Sequence, residues 1–437
     1  MHAPATAASS DGISHVNSYY AASANPAPER PPLRGAHRHD VCVIGAGYSG
    51  LSAGLHLAEK GHDVAILEGA RVGWGASGRN GGQIVNGLNA SLDTIAKRYG
   101  ADTARFVAGI VQEGGEIIRE RVRTYDIKCD LRDGNVFAAL TGAHMRELEK
   151  RRDLWAGYGL HNMEMLDAAE MRQHVVSPLY KGGLIDRSGG HLHPLNLALG
   201  EAAAVEANGG TIFENSRVVR VDLSGASPSV FTRDGQISCK TLIVCGNAYL
   251  GDTVPPLTNR VMPVSTQMLA TRPLEEDLVR SLMPGEACVE DVRYILDYFR
   301  MSADNRLLFG GGTVYGGSDP RDIEAKLRRN MNKVFPQLKD VEVDFAWSGN
   351  FALSFSRVPQ IGRLGNNTYF AYGYSGHGVT GSHLFGRIIS EAVNGDLSRF
   401  DVFAALKWIP FPGGQLLRVP YSVMGSWWYA LRDKLGV

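Results

Sequence analysis

Three glycines near the start of the chain have the spacing of a dinucleotide-binding turn. They stand between an apolar run, residues 41–44, and a segment whose apolar residues recur at helical spacing. In such a turn the first glycine permits a tight bend, the second admits a pyrophosphate close to the backbone, and the third lets helix and strand pack closely. The pyrophosphate would lie at the N-terminal end of the helix, which favours negative charge. The candidate contacts in the turn are Gly45, Ala46, Gly47, Tyr48, Ser49 and Gly50.

An acidic residue stands at the place expected for a ribose ligand. Glu68 ends a second apolar run, residues 64–67, and follows Gly50 by 18 positions. The two runs, the turn and the helix between them form a strand–turn–helix–strand unit typical of dinucleotide-binding domains. A carboxylate at the end of the second strand accepts hydrogen bonds from ribose hydroxyls. We therefore expect Glu68 and the adjacent Gly69 to contact the adenosine half of a dinucleotide.

Two further glycine-rich segments, residues 75–83 and 373–380, favour FAD over a nicotinamide dinucleotide. The isoalloxazine ring of an extended FAD must be met by bare backbone, and glycine makes that close approach possible. The second segment leads into a helical pattern, so N–H groups at the start of that helix could stabilise negative charge on the ring. The candidate FAD contacts in the two segments are Ala76, Ser77, Arg79, Asn80, Gly81, Gly82, Gln83, Gly376, His377, Gly378, Val379 and Thr380.

The composition excludes several other classes of protein. The 437 residues include 45 Lys+Arg and 45 Asp+Glu, so the net charge of zero gives no long-range attraction to nucleic acid or to an anionic membrane. No run approaches the ~18 apolar residues of a membrane span, and the N-terminal segment lacks the pattern of a secretory signal. The five cysteines form no C-x-x-C pair. We therefore expect free thiols, no metal site and a cytoplasmic location.

Short apolar runs and helical patterns must position these residues. Residues 1–39 are rich in Ala, Pro and Ser, and we expect them to form a partly disordered or surface-draped arm, with structure beginning at Asp40. Residues from about 90 to 180 are predicted to be mostly helical. Further along the chain, the patterns predict a helix opened by Pro194, strands at residues 217–221 and 240–244, and a helix near residues 380–394.

The last segment, residues 423–435, combines Trp427, Trp428 and Tyr429 with basic residues. A membrane-touching amphipathic helix is one interpretation of this pattern. We favour packing against the dinucleotide-binding domain, because the chain as a whole has no net charge.

Five segments give the chain a resemblance to a known family. They read GASGRNGGQ at residues 75–83, SGGHLHPLN at 188–196, CGNAYLGD at 245–252, PFPGG at 410–414 and SYYAAS at 18–23. The chain resembles the D-amino-acid-oxidase-type FAD oxidoreductases, the group that contains glycine oxidase and sarcosine oxidase. Within that group these segments are most similar to the gamma-glutamylputrescine oxidase family. The resemblance extends over nearly the whole chain from about residue 18 onward.

The resemblance implies an α/β (α+β) fold in which two domains are interleaved. One is a Rossmann-like FAD-binding domain, and the other is a substrate domain with a mixed sheet, as in the glycine and sarcosine oxidases. The predicted intervals are 1–39 for the N-terminal arm, 40–98, 180–255 and 346–437 for the FAD-binding domain, and 99–179 and 256–345 for the substrate domain.

The resemblance also implies that FAD is held without a covalent bond. Flavin-linking relatives use a His in the first glycine-rich segment, where this chain has Arg79 and Asn80. Others use a Cys at the position that aligns with Gly349, and no Cys lies nearby. The matching strand of the family holds the adenine through backbone contacts. The further FAD contacts that follow are Val218, Val219, Gly246 and Gly349.

The reaction implied by the resemblance is oxidation of a primary amine carbon. The family oxidises gamma-glutamylputrescine, or a similar polyamine derivative, to an aldehyde with release of ammonia and H2O2, in putrescine catabolism. The electron acceptor would be O2 or another acceptor, so oxidase and dehydrogenase both stay open, as does the oligomeric state. One alternative is another amine or N-methyl amino-acid oxidase of the same fold. Another is a flavin-binding protein without turnover.

Candidate residues for the substrate side fall into three groups. The histidines in motifs that flank the flavin are His191, His193 and His377, each either a base or a structural residue. Aromatic residues that could surround an amine are Tyr294, Tyr298, Phe299 and Trp347. Arginines that could meet a distant carboxylate are Arg293, Arg300 and Arg306. Glycine-oxidising relatives place their carboxylate-binding Arg elsewhere than the sarcosine-oxidising ones, so one of these three could serve that role instead. Sarcosine-oxidising relatives carry an Arg and a Lys at the positions of Gln83 and Thr380, so these two neutral residues predict no carboxylate clamp beside the flavin.

Overall fold

The computed structural model describes residues 13–435, and only the backbone of residues 429, 430 and 432–435. The strands in chain order are β1 (Gly35–Ile44), β2 (Val64–Leu67), β3 (Gln83–Ile84), β4 (Arg132–Ala139), β5 (Met163–Leu166), β6 (Gly182–His191), β7 (Thr211–Phe213), β8 (Arg220–Asp222), β9 (Ser229–Phe231), β10 (Gly235–Val244), β11 (Met262–Thr271), β12 (Cys288–Asp291), β13 (Asp297–Met301), β14 (Leu307–Tyr315), β15 (Val343–Leu353), β16 (Gln360–Leu364) and β17 (Thr368–Tyr372).

Helices connect and cover these strands. In chain order they are α1 (Tyr19–Ala22), α2 (Tyr48–Ala58), α3 (Leu92–Tyr99), α4 (Ala101–Ile110), α5 (Glu113–Thr124), α6 (Gly142–Gly157), α7 (Ala168–Met171), α8 (Pro194–Ala207), α9 (Glu276–Leu282), α10 (Ile323–Val334), α11 (Gly378–Val393), α12 (Ser398–Ala404) and α13 (Gly414–Leu435). Within the described part of the chain, no helix has the length and apolar character needed to cross a membrane.

The first sheet has the order β16-β17-β10-β1-β2-β7, with β8 and β9 attached through β10. β17, β10, β1, β2 and β7 run parallel, so their carboxyl ends share one edge. Val43 lies opposite Ile243 on β10 and Ile66 on β2. Both faces are covered, as parallel sheets require: Val41 and Val43 join a core cluster that includes residues of α2, α8 and α11, and Cys42 and Ile44 join the cluster on the other face.

The second sheet is mixed, with the order β15-β11-β14-β13-β12-β4-β6-β3 and β5 paired with β6. Its own core cluster includes Val289, Phe299 and Phe309. In the first sheet only the pairings of β8, β9 and β16 depart from the parallel arrangement. The predicted α/β (α+β) class, with a Rossmann-like sheet and a second, mixed sheet, is therefore confirmed. β3, β6 and part of β15 belong to this second sheet, although their residues fall within intervals predicted for the FAD-binding domain.

The described part of the N-terminal arm takes the surface-draped form, one of the two expected for it, and is anchored by buried side chains. Residues 13–39 are packed on the protein, and residues 1–12 lie outside the described part of the chain. Tyr19 and Tyr20 on α1 are 5% and 0% exposed because they fill a cluster with Trp347 and Leu195, between α8 and the second sheet. β1 begins at Gly35 rather than at Asp40, because its first residues pair with β10. Aromatic residues thus anchor a segment whose overall composition suggested disorder.

Two other parts of the chain depart from expectation in detail. Residues 90–180 contain α3 to α7, as predicted, but also the strands β4 and β5. Trp427 and Trp428 on α13 are 70% and 61% exposed, so the predicted packing is wrong for these two side chains. The side chains of Tyr429, Arg432 and Lys434 lie outside the described part.

Candidate active site

The glycine-rich turn after β1 has a backbone that larger residues could not adopt. Gly45 has φ +102°, and a Cβ there would lie 3.0 Å from the carbonyl oxygen of Cys245. A Cβ on Gly50 would lie 1.9 Å from the carbonyl oxygen of Gly45, so helix α2 can approach the turn only through a glycine. α2 begins at Tyr48 with Gly47 as its N-cap. The N-terminal end of a helix therefore stands at the edge where the parallel strands end, a place suited to a phosphate.

Glu68 lies at the same edge, directly after β2. Its carboxylate accepts hydrogen bonds from the N–H groups of Ala46 (2.8 Å) and Ala70 (3.0 Å), which fix it beside the turn. Burial raises the pKa of Glu68, and these backbone bonds oppose the shift. Because a carboxylate has about four acceptor sites, it can still accept hydrogen bonds from a ligand.

A cavity of about 300 Å³ is enclosed by the ends of β1, β2 and β10. The expected dinucleotide contacts that line it are Gly45, Gly47, Tyr48, Ser49, Glu68, Gly69, Ala76, Ser77, Asn80, Val218, Gly246, Gly376, Gly378 and Val379. Ala46 and Gly50 do not line it. Val219 does not either: it is 60% exposed, and its N–H donates to the carbonyl of Phe231. Of the two expected adenine contacts, only Val218 therefore lines this cavity.

The segment of residues 76–83 is held against the turn by its own side chains. The hydroxyl of Ser77 accepts a hydrogen bond from the N–H of Tyr48 at 2.9 Å. The amide of Asn80 donates to the carbonyls of Ala76 and Ser77 and accepts from the N–H of Gly82. These hydrogen bonds between side chains and backbone fix the conformation of the segment beside the turn.

Arg79 is the cation of this segment. Its Nε donates to the carbonyl of Trp74 at 2.8 Å, and its guanidinium stacks over the Trp74 ring at 4.2 Å. Its Nη2 is buried without a partner among the described residues. A buried guanidinium nitrogen with no acceptor costs free energy, so this atom marks a place where a ligand acceptor fits.

The second glycine-rich segment leads into α11. Gly376, Gly378 and Val379 line the cavities, with His377 as the N-cap residue of the helix. Thr380 faces away, since its hydroxyl donates to the carbonyl of Val85 at 2.8 Å and its side chain is buried. Gly82 also lies outside both linings.

A second cavity, of about 1050 Å³, adjoins the first. The residues that line both are Ala76, Asn80, Phe351, Ser375, Gly376 and Val379. The larger cavity extends from the two glycine-rich segments to the second sheet and α13. A cofactor along the parallel-strand edge would therefore present one end to a space large enough for an extended small molecule.

Several expected substrate contacts do line this second cavity. They are Gln83, Tyr294, Tyr298 and His377, together with the expected FAD contacts Arg79, Gly81 and Gly349. The amide of Gln83 donates to Asn135 at 3.3 Å. Nδ1 of His377 lies 3.2 Å from the carbonyl oxygen of Gly87 and therefore donates to it. Burial, with the charge of Arg151, lowers the pKa of His377 to about 4, so its ring is neutral at pH 7.

Other expected residues lie away from both cavities. His191 donates from Nε2 to the carbonyl of Glu286, and His193 caps α8 by accepting from the N–H of Asn196. Burial and the charge of Arg300 lower the pKa of each to about 3, so both rings are neutral structural groups. Trp347 and Phe299 are core residues, and the Trp347 indole N–H donates to the carbonyl of Arg79.

The three arginines expected to meet a distant carboxylate already have partners. Arg293 lines the second cavity but is paired with Asp291 and Asp297. Arg300 is buried on the carbonyls of Gly81 and Leu192. Arg306 pairs with Asp304 and Asp344 away from the cavity.

The cavity instead contains charged residues that the sequence analysis did not identify: Arg98, Glu147, Glu290, Arg357 and Arg418. Arg357 has φ +62°, which is costly for a residue with a side chain, and its Nη2 donates to the Tyr294 hydroxyl at 3.0 Å. Among the described side chains, no carboxylate lies within ion-pair distance of Arg357. The one available signal for Glu290 was its place beside a second acid, Asp291, directly after the apolar residues 287–289.

Comparison with known proteins gives consistent results. A family profile described as "DAO: FAD dependent oxidoreductase" matches residues 40–392. Gamma-glutamylputrescine oxidoreductase of Escherichia coli is 53% identical over 97% of this chain and 99% of that protein. A probable oxidoreductase, OrdL, of Haemophilus influenzae is 40% identical over 96% of this chain and 98% of its own length. The crystal structure of glycine oxidase from Geobacillus kaustophilus superposes with a TM-score of 0.69 at 22% identity, over 83% of this chain and 98% of that one.

Proposed function

This chain belongs to the DAO family of FAD-dependent oxidoreductases, and from that premise we propose that it oxidises the primary amine of gamma-glutamylputrescine, or of a similar polyamine derivative, to the aldehyde. The observation that carries the proposal is the arrangement of polar groups in the second cavity, where the neutral amide of Gln83 stands in the glycine-rich segment and Arg357 has no carboxylate partner among the described side chains. The E. coli relative supports the substrate class.

The residues of the first cavity fit FAD. The turn and the N-terminus of α2 suit the pyrophosphate, and Glu68 has acceptor sites left for the ribose. Arg79, which lines the adjoining second cavity, has a buried Nη2 without a described partner, so an acceptor from the cofactor would satisfy it. A Cβ on Gly349 would lie 3.1 Å from the Cβ of Arg79, so a linking Cys could not be accommodated there without displacement. These features support noncovalent FAD.

When bound, FAD would supply the redox chemistry for oxidation of the amine-bearing carbon, with O2 or another compound as the final electron acceptor. The protein must orient that carbon and keep its amine neutral. The buried, neutral rings of His191 and His193 take no part in this, because neither reaches a cavity. His377 lines the second cavity with a neutral ring, and the hydrogen bond from this ring to the carbonyl of Gly87 fixes its orientation.

The cofactor end of the cavity suits a carbon chain without a neighbouring carboxylate. The amide of Gln83, which lines the cavity, is held by Asn135, whereas Thr380 lies outside the lining with its hydroxyl held by Val85, so neither position supplies a cation. A carboxylate placed there would lose charge-assisted hydrogen bonds worth about 1.5–3 kcal/mol each. The putrescine part of gamma-glutamylputrescine has only methylene groups beside the reacting carbon and needs no such bonds.

Arg357 replaces the three arginines expected from the sequence as the group that binds the distant glutamyl carboxylate. Its guanidinium lines the cavity, is oriented by Tyr294 and is free of a described carboxylate partner.

Location in a reducing cytoplasm is supported by the five cysteines, all of which are buried and free.

The test compares kcat/KM for gamma-glutamylputrescine, putrescine, sarcosine and glycine, with H2O2 release and anaerobic bleaching of the flavin measured in parallel. We expect gamma-glutamylputrescine to exceed putrescine by about 10- to 100-fold, the value of one charge-assisted bond to Arg357. Bleaching without H2O2 would identify a dehydrogenase. A higher kcat/KM for sarcosine or glycine would contradict the proposal, and no bleaching by any amine would indicate a flavoprotein without turnover.

A further inference from the structure

A carboxylate stands inside the second cavity, close to its cofactor end. Glu290, on β12, lies opposite Tyr298 on β13 and beside Phe137 on β4. The amide of Asn135 lies 3.5 Å from one of its oxygens and also accepts the hydrogen bond from Gln83. A single buried side chain, Asn135, therefore separates Glu290 from the glycine-rich segment that ends at Gln83.

This carboxylate has no cation close enough to neutralise it among the described residues. Arg151 on α6 acts on Glu290 electrostatically. The Arg151 guanidinium stacks over the Phe137 ring at 3.9 Å, however, and makes no ion pair with Glu290. The neighbouring Asp291 pairs with Arg293 instead. The titratable and charged groups around Glu290 are Glu147 and Arg151 from α6, Cys288 and Asp291 from β12, Tyr298 from β13 and His377 at the start of α11.

An unpaired carboxylate away from bulk water is costly, and an arriving cation removes that cost. Burial raises the pKa of Glu290 to about 7, although the charge of Arg151 opposes the shift. Near neutral pH the group is therefore divided between carboxylate and acid. In the first form it can bind an ammonium, and with a pKa this high it can also accept a proton from that ammonium.

We propose that Glu290 binds the reacting ammonium of the substrate and takes its proton, which leaves the amine neutral for oxidation; this rests on the proposed function. One N–H bond of the ammonium breaks, its electron pair stays on nitrogen, and an O–H bond forms on Glu290. No redox change accompanies this step. Asn135 acts as a positioning residue, since its amide holds both Glu290 and Gln83.

The first experiment measures binding without turnover. tert-Butylamine has no hydrogen on its amine carbon and cannot be oxidised, and tert-butanol is its neutral analogue. Calorimetric titration of the FAD-loaded protein at pH 8 should give a Kd for tert-butylammonium at least about tenfold weaker in Glu290→Gln, because a charged partner is lost. The Kd for tert-butanol should not change. Glu164→Gln serves as the control, because Glu164 pairs with Arg187 on the exposed side of β5.

The second experiment follows anaerobic flavin bleaching against pH with the best amine of the panel. In the parent protein we expect kcat/KM to rise through about pH 7 as Glu290 ionises and to fall near the amine pKa, about 10. In Glu290→Gln the rate at pH 7 should fall by about 100-fold or more. Its rise should move to about pH 10, where free amine exists in solution. Glu290→Asp should recover part of the rate.

The outcomes separate this proposal from the proposed function. Equal binding of tert-butylammonium by the parent and Glu290→Gln, or an unchanged pH profile in the variant, would overturn the role of Glu290. If binding depends on Glu290 but gamma-glutamylputrescine is a poor substrate, the ammonium site stands and the substrate assignment fails. FAD content measured in every variant shows whether it has folded and retained the cofactor.

Discussion

A buried ionic network behind the cofactor helix allows a stability prediction. Glu201 on α8 accepts hydrogen bonds from Arg121 on α5 at 2.6 Å and from His383 on α11 at 2.8 Å, and all three side chains are at most 4% exposed. The two ring nitrogens of His383 lie 2.8 Å from the Glu201 carboxylate and 2.5 Å from the carbonyl oxygen of Val379. The network therefore fixes α11, whose N-terminus lines both cavities.

The magnitude follows from the titration of Glu201. Burial alone would raise its pKa, but the charges of His383 and Arg121 outweigh burial and lower the pKa to about 2 from 4.5. At 1.36 kcal/mol per pKa unit, the ionised form contributes about 3 kcal/mol. Because the pKa is lowered on folding, this contribution is complete above about pH 4.5 and is lost as the pH falls towards 2. Glu201→Gln should therefore lower the free energy of unfolding at pH 7 by about 3–5 kcal/mol.

The assay is urea unfolding of FAD-loaded protein, followed by circular dichroism. Glu120→Gln is the matched control, since Glu120 precedes Arg121 on α5 but is exposed, and its effect should stay within about 0.5 kcal/mol. The difference between the parent and Glu201→Gln should shrink as the pH is lowered below about 4.5. Equal stability of the two variants at pH 7 would refute the reasoning, and a difference independent of pH would show that charge is not its cause.

Three further predictions concern the cofactor and the substrate. Acid precipitation should release all of the flavin as FAD, and colour remaining in the pellet would show a covalent bond. Gly47→Val should abolish FAD retention, because even a Cβ there would lie 2.9 Å from the Ser77 hydroxyl, and an unchanged FAD content in this variant would contradict the dinucleotide assignment. Glu68→Ala should weaken FAD binding by about 10- to 100-fold. Arg357→Gln should lower kcat/KM for gamma-glutamylputrescine by about 10- to 100-fold and change kcat/KM for putrescine by no more than about twofold. The control is Arg363→Gln, because Arg363 is exposed. Equal losses of kcat/KM on both amines would contradict the role of Arg357 in binding the carboxylate.

The sequence predicted the dinucleotide turn well because the turn depends on local backbone requirements. Gly45 needs a positive φ, and Gly50 allows helix and strand to meet, so the residue types at these positions indicate the backbone geometry of the turn. The apolar runs around them indicated strands buried on both faces, and the parallel sheet has that character. Where backbone conformation decides the local structure, the spacing of residue types in the chain is enough to predict it.

Side-chain direction was harder to predict than the location of a segment. His191 and His193 lie in a segment that passes close to the cofactor end, yet both rings turn towards backbone groups elsewhere. The arm shows the same limit, because Tyr19 and Tyr20 find their partners about 170 residues or more away along the chain. Contacts between distant segments cannot be derived from local pattern.

Glu290 and Asp291 show this limit most directly. Successive residues of a strand point to opposite faces of a sheet, so one of two adjacent acids on β12 must face away from the other. Glu290 faces the cavity, whereas Asp291 turns to Arg293. The alternation is evident from the sequence, but which face borders the cavity depends on how β4, β13 and α6 close around the strand. The sequence therefore predicts that the two acids differ in environment. Only the packed sheet shows that Glu290, which has no ion pair, is the one that borders the cavity.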